Sequence, residues 1–272
     1  MGESTAEKRK YKKTLLAKVM TLSFTTALKR TPTGIEGLDR VLQGGFIRNG
    51  TYLIVGGAGT GKTIFSLQFL VHGAVNLGEK GVYVALDEDY DEIVSGARTL
   101  GWHLDELIEE DKLSIIAYTP EFPDKIKGKV LHALVKTIVE GISKEIMRIE
   151  ASRLAIDPLV PAALGYEEET GAAEYIRHLL LGLRRKVKCT TVVTMGVPTE
   201  SIISSRFGVE EFLSTGVIML GVKRIGRKLA RVMYIRKMRW TPVKPIELEF
   251  DIVPGKGIEI IGSLQESGLL NP

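Results

Sequence analysis

Gly56-Gly-Ala-Gly-Thr-Gly61-Lys62-Thr63 is the stretch whose residue types and spacing say most about chemistry. It fits G-x-x-x-x-G-K-[ST] at every position. The glycines let the backbone take positive φ and turn its N–H groups toward a phosphate chain. A helix starting near Lys62 would aim the positive end of its dipole at the same anion. Gly57, Ala58, Gly59, Thr60, Gly61, Lys62, Thr63 and Ile64 are therefore the expected nucleotide-binding residues. Lys62 can reach the β and γ phosphates as a compact charge, and the Thr63 hydroxyl can ligate Mg²⁺. A plain glycine-rich turn would have no need of the lysine.

Such a loop needs an acid at the end of a neighbouring strand to hold hydrated metal. Arg153-Leu-Ala-Ile-Asp157 supplies one, an apolar run ending in Asp157, although strands often end at aspartate before a turn. Hydrolysis also needs a group that orients water. Val82-Tyr-Val-Ala-Leu-Asp87-Glu88-Asp89 places carboxylates at a strand tip, where parallel sheets bind ligands. Asp87 and Glu88 are the candidates, with either able to act; Asp89 fits a helix cap instead. Arg236-Lys237-Met238-Arg239 closes a late apolar run. It suits a solvated basic edge, or a charge offered to a neighbouring subunit's γ-phosphate.

These residues need a scaffold, and the hydrophobic pattern describes one. Apolar runs at Tyr52–Val55, Val82–Leu86, Leu113–Ala117, Leu154–Ile156 and Thr190–Met195 read as strands. Helical patterns alternate with them at Lys62–Leu77, Tyr90–Leu100, Lys129–Ile149 and Ala172–Lys186; a short helix at Ile35–Leu42 precedes them. From Val217 the pattern becomes strands alone, at Val217–Val222, Arg231–Ile235, Ile246–Ile252 and Ile258–Ile261, with a basic turn at Lys223–Lys228. The expected fold is α/β: a mostly parallel central sheet flanked by helices, with antiparallel strands added at the C-terminal end. Residues 1–30 read as a basic arm, 31–262 as one domain and 263–272 as a tail.

Charge and cysteine content narrow the setting. Lys8, Arg9, Lys10, Lys12, Lys13, Lys18, Lys29 and Arg30 stand against only Glu3 and Glu7 in the arm, which exceeds the chain's whole surplus of +4. The domain itself is thus slightly acidic. The single cysteine, Cys189, excludes an internal disulfide and reads as a buried strand residue. Lys18 and several hydroxyl residues interrupt the apolar stretch after Lys13, which argues against a secretory signal, and no run is long enough to span a membrane. A cytoplasmic setting is expected.

Taken in order, Thr33-Gly-Ile-Glu-Gly-Leu-Asp39 leading to Gly44-Gly45, the phosphate loop, Asp87-Glu88, Arg98-Thr-Leu-Gly-Trp102, Asp157, Phe207-Gly-Val-Glu-Glu-Phe212 and Lys237-Met-Arg239 resemble the KaiC-like branch of the RecA superfamily. The similarity runs from about Thr31 to Gly262. It implies a P-loop ATPase core using ATP and Mg²⁺, assembled as a homo-oligomeric ring, often hexameric, with ATP between subunits. Asp87 and Glu88 match the family's paired catalytic carboxylates, alongside Lys62. The first is usually glutamate there, so the shorter Asp87 bears on the rate of hydrolysis, not on binding. Lys237 and Arg239 match a basic pair acting on the neighbouring subunit's γ-phosphate, and Thr99 matches an adenine contact. The chain holds one such domain, and no clock or autokinase activity is inferred from the resemblance. Archaeal single-domain KaiC-like proteins and RadA paralogues are the nearer comparison.

The loops expected to line a ring's centre are poor for nucleic acid. Leu159–Thr170 carries Glu167-Glu-Glu169 and no basic residue; Pro198–Gly208 holds Arg206 and Phe207 as its only cation and aromatic. DNA, if bound, would use Lys8–Lys13 or Lys223–Lys228. Three readings stand: a slow ring ATPase, a recombination accessory protein that binds ATP and DNA without strand exchange, and a nucleotide-gated scaffold that hydrolyses little.

Overall fold

The computed structural model describes residues 28–118, 129–160, 169–197 and 208–264. The basic segment Lys8–Lys13, most of both expected central loops and the C-terminal tail lie outside these. Arg30 belongs to the fold: with Thr31 it forms β1, paired antiparallel to β2 (Phe46–Ile47), with α1 (Glu36–Val41) between them.

Nine strands form the central sheet. In chain order they are β3 (Thr51–Gly56), β4 (Gly81–Ala85), β5 (Leu113–Ala117), β6 (Arg153–Asp157), β7 (Thr190–Gly196), β8 (Gly216–Ile225), β9 (Lys228–Met238), β10 (Glu247–Val253) and β11 (Gly257–Ser263). In space the order is β11-β10-β9-β8-β3-β7-β6-β4-β5. The six strands from β8 to β5 are parallel, and β9, β10 and β11 are added antiparallel. This is the expected α/β layout, with antiparallel strands on one side.

The continuous apolar run in β3 follows from burial on both faces. Tyr52 and Ile54 join a core with α1, α2 (Lys62–Asn76), α3 (Tyr90–Thr99) and α4 (Leu104–Glu109). Leu53 and Val55 join a second core with α5 (Lys129–Ile149) and α6 (Glu169–Lys186). Helices cover both sides of the parallel block, so the strand tips are its open edge. Phe46 stacks on Tyr52 at 3.7 Å, and the Ile47 amide donates to the Tyr52 hydroxyl at 2.7 Å, fixing β2 beside β3.

Asp89 caps α3 as expected: its carboxylate accepts from the Glu92 amide at 2.9 Å, while Glu92 accepts from the Asp89 amide. The basic stretch Lys223–Lys228 is not a turn as a whole. β8 and β9 stay paired out to Ile225 and Lys228, leaving only Gly226 and Arg227 to reverse the chain. The polar residues there face water on both sides of a projecting hairpin, so no apolar alternation marked them as strand. Lys223 pairs with Glu247 at 2.5 Å and Lys228 with Glu249 at 2.9 Å. Four short elements, β1, β2, α4 and α7 (Val209–Leu213), carry no sequence signal, being too short to show a period.

Candidate nucleotide site

The loop after β3 turns sharply into α2. Gly61 stands just before the helix at φ 99°, and Gly59 has φ 70°, both costly for a side chain. At Gly56 a Cβ would lie 2.6 Å from the Leu220 carbonyl oxygen and the Thr60 hydroxyl, so the strand end must be glycine to pass β8. Thr60 Oγ1 donates to the Gly57 carbonyl at 2.9 Å and closes the loop. The first amide to find a helical partner is Phe65, bonded to Gly61 at 2.9 Å. Helix geometry leaves the amides of Lys62, Thr63 and Ile64 without a carbonyl in α2. Ala58 and Gly59 are exposed at the crest, and a Cβ on Gly59 would meet nothing within 4 Å.

Lys62 folds back over this loop, its Nζ donating to the Gly57 carbonyl at 2.7 Å. Burial holds its ammonium below the ordinary lysine range, and the charge of Asp157 draws it back up. Asp157 ends β6, two strands from β3 across β7, or about 10 Å at ordinary strand spacing. It is buried and gripped from both sides. Tyr83 on β4 donates to Oδ2 at 2.9 Å, and Thr194 on β7 donates to Oδ1. Burial, then Asp157, keeps the Tyr83 hydroxyl well above its ordinary value, so it remains a donor.

This set fits a magnesium nucleotide. An ammonium rests on a carbonyl of its own loop, where phosphate oxygens would be stronger acceptors. A half-buried Thr63 hydroxyl lies at the helix start, and a fixed carboxylate lies across β7. Thr63 and Asp157 are the residues that would hold the metal.

Asp87 and Glu88 follow β4, the strand beside β6, and the Leu86 amide bonds the Asp157 carbonyl at 3.1 Å. The two acids diverge electrostatically. Glu88 is held above the ordinary glutamate value by burial first, then by Asp157, Glu92 and Asp87. The charge of Asp87 is also felt by Tyr175, buried in the α6 core.

Lys237 and Arg239 stand elsewhere. Register pairs Lys237 with Val217 and Met238 with Gly216, at the start of β8, and Tyr52 near the start of β3 also pairs with Gly216. They lie toward the opposite edge of the sheet from the phosphate loop, about 10–13 Å from Gly56 along β3 and two strands to the side. There they cap α7: Lys237 Nζ donates to the carbonyls of Glu211 and of Ser214, the latter at 2.8 Å, and Arg239 donates to Phe212 at 3.0 Å. Arg236 pairs with Glu211 at 3.1 Å. Beside them Phe212 and Trp240 are 77% and 79% exposed. Thr99 is not brought to the loop either. It is exposed in the last turn of α3, bonded to Gly96 at 2.7 Å, and nearby Gly101 lines a cleft with the C-terminal half of α2.

Sequence reasoning missed Tyr83 and Thr194, the groups that aim Asp157. Tyr83 is a lone hydroxyl in an apolar run and Thr194 one of three threonines in its strand, so neither is singled out; the sheet order makes them neighbours of Asp157.

Comparison with known proteins agrees with this geometry. The family model for the KaiC ATPase matches residues 31–265. The circadian clock oscillator protein KaiC of one Prochlorococcus marinus strain is 36% identical over 216 residues, and that of Thermostichus vulcanus 32% over 243. These cover 79% and 88% of this chain but 42% and 45% of the relatives, so the chain spans less than half their length. The crystal structure of a KaiC-like protein, PH0186 of Pyrococcus horikoshii OT3, aligns with 86% of this chain and 99% of its own, at 33% identity and a TM-score of 0.74. A phosphate loop, its buried partner acid and a sheet of this order, matched by a family description over most of the sequence, place the chain in the KaiC ATPase family of the RecA superfamily.

Proposed function

We propose that the protein is a Mg²⁺-dependent ATPase working as a homo-oligomeric ring, with ATP bound at subunit interfaces. The observation that carries the nucleotide site is the pairing of Lys62, folded over its glycine loop, with an Asp157 fixed by Tyr83 and Thr194. The loop amides and Lys62 hold the β and γ phosphates. Magnesium, when bound by Thr63 and Asp157, would neutralise phosphate charge.

Glu88 is the water-orienting base. It takes a proton as water oxygen bonds to the γ-phosphorus, while the bond to the ADP oxygen breaks, giving ADP and phosphate. Its electrostatic coupling to Asp157, the acid placed to hold the metal, supports this over Asp87. Steady-state phosphate release by the full chain tests the assignment. Glu88→Gln should slow turnover about a hundredfold or more with ATP affinity kept, and Asp87→Asn less than about tenfold. Equal losses, or none, would remove Glu88 from this role.

The opposite-edge position of Lys237 and Arg239 supports action on a neighbouring subunit's phosphate, since their own loop is a strand length away. Exposed Phe212 and Trp240 beside them supply apolar surface for such a contact. Of the two segments named for DNA, Lys8–Lys13 lies outside the described residues, and in the other Lys223 and Lys228 pair with Glu247 and Glu249.

A further inference from the structure

Two of the chain's four histidines, His132 and His178, meet on the outer surface of the α5–α6 pair. Helix α5 carries His132 one turn from its start, and α6 carries Glu174 and His178 at i and i+4, on one face. The three donor atoms form a compact triangle. His132 Nε2 lies 2.8 Å from His178 Nε2 and 3.3 Å from Glu174 Oε1, and His178 Nε2 lies 3.6 Å from the same oxygen. Among the described residues this is the one group of three His, Cys, Asp or Glu side chains so converged.

Hydrogen bonding alone satisfies the triangle poorly. A carboxylate only accepts, and each neutral imidazole offers one donor and one acceptor, so two Nε2 atoms and an oxygen share at most two protons. A small cation satisfies all three together. Bonds of about 2.0–2.1 Å in a tetrahedron set ligand atoms roughly 3.3–3.4 Å apart, close to the spacings seen. The ligands stand on rigid backbone. Leu131 and Val135 of α5, and Tyr175 and Leu179 of α6, are buried on the inner side of the same helices. The helices run close: a Cβ on Gly182 would lie 3.0 Å from Val139. The three side chains themselves are roughly half exposed, open to a metal from solvent.

We propose that His132, Glu174 and His178 form a binding site for a borderline divalent metal, Zn²⁺ in the first instance, with water completing four-coordination. Two imidazoles and one carboxylate suit zinc; magnesium prefers oxygen in octahedral array. The site lies on the face of α5 and α6 away from the sheet and is separate from Thr63 and Asp157. A metal there would clip two helices that, among the described residues, are joined by apolar packing and the Lys186–Glu140 pair, 3.5 Å apart, further along them.

The test is calorimetric titration of Zn²⁺ into the nucleotide-free full chain, with excess Mg²⁺ to occupy oxygen sites. His132→Ala, His178→Ala and, as a control, His103→Ala are compared with the wild type. Equal unfolding midpoints in EDTA would establish that each variant folds. Co²⁺ absorption reports geometry. The expected result is one Zn²⁺ per chain, weakened at least about tenfold by either site substitution and unaffected by His103→Ala. Co²⁺ should give the intense visible bands of a four-coordinate site, absent from His178→Ala. No binding to the wild type, binding that survives either site substitution, or binding lost equally in His103→Ala overturns the proposal.

Discussion

A half-buried cation, Lys62, and a buried anion, Asp157, stand either side of β7 with bonds made to fixed polar groups. That is costly in a protein without a ligand and useful in one that binds a phosphate–metal complex. At this scale the sequence was informative. Only a phosphate loop uses Gly-Lys-Thr at a helix start, and an acid ending an apolar strand is visible in one dimension. The choice between Asp87 and Glu88 was not, because it depends on the charges that folding gathers round each carboxylate. Cys189 reads in the sequence as a buried strand residue; it is buried, one position before β7, and burial raises its thiol to about 12. Ionised thiol is therefore scarce at neutral pH, and a thiol reagent should label native protein far more slowly than protein unfolded in guanidinium. Equal rates in the two states would contradict that placement.

Among the elements, β6 is held at both ends by charged residues that serve different purposes. Asp157 at its tip belongs to the site, while Arg153 at its start is fully buried. Arg153 bonds Glu79 at 2.8 and 2.7 Å, donates to the carbonyls of Pro32 and Phe69 at 2.9 and 2.6 Å, and lies over the Phe69 ring. It therefore joins β6, α2 and the segment after β1, and sets the strand's height against the helix carrying Lys62. Arg153→Ala should cost about 3 kcal/mol, because it leaves the mostly buried Glu79 carboxylate to the part-exposed Arg48 alone and strips the Pro32 and Phe69 carbonyls of their donor. Chemical denaturation would show this as a lowered midpoint, and a loss under about 1 kcal/mol would mean the pair is incidental. The sequence marked Arg153 only as the residue before an apolar run. Its partners lie more than 70 positions away, and no local pattern reports that. The same holds for His132 with His178, whereas α2 and β3 were legible because their periodicity is local.

For the whole molecule the informative fact is polarity. The phosphate loop opens at one edge of the parallel block, and Lys237, Arg239, Phe212 and Trp240 lie at the other. A single copy cannot bring the two together. If rings form head to tail, mixing two inactive variants should restore hydrolysis: Lys62→Ala keeps a sound basic pair, and Arg239→Ala keeps a sound loop. Mixed rings should exceed the summed activity of the separate variants, and strictly additive activity would exclude action between subunits. Trp240 and Phe212 could be read as apolar in the sequence, but their exposure could not, because a surface is a property of the folded chain.

Every part of this account requires that the glycine loop hold a triphosphate through Lys62. Calorimetric titration of Mg²⁺-ATP into the wild type and into Lys62→Ala addresses that requirement directly. The wild type should bind about one ATP per chain, and the variant at least about tenfold more weakly, as expected for loss of a charge-assisted bond. Undiminished affinity in Lys62→Ala, with the variant shown to be folded, would contradict the account.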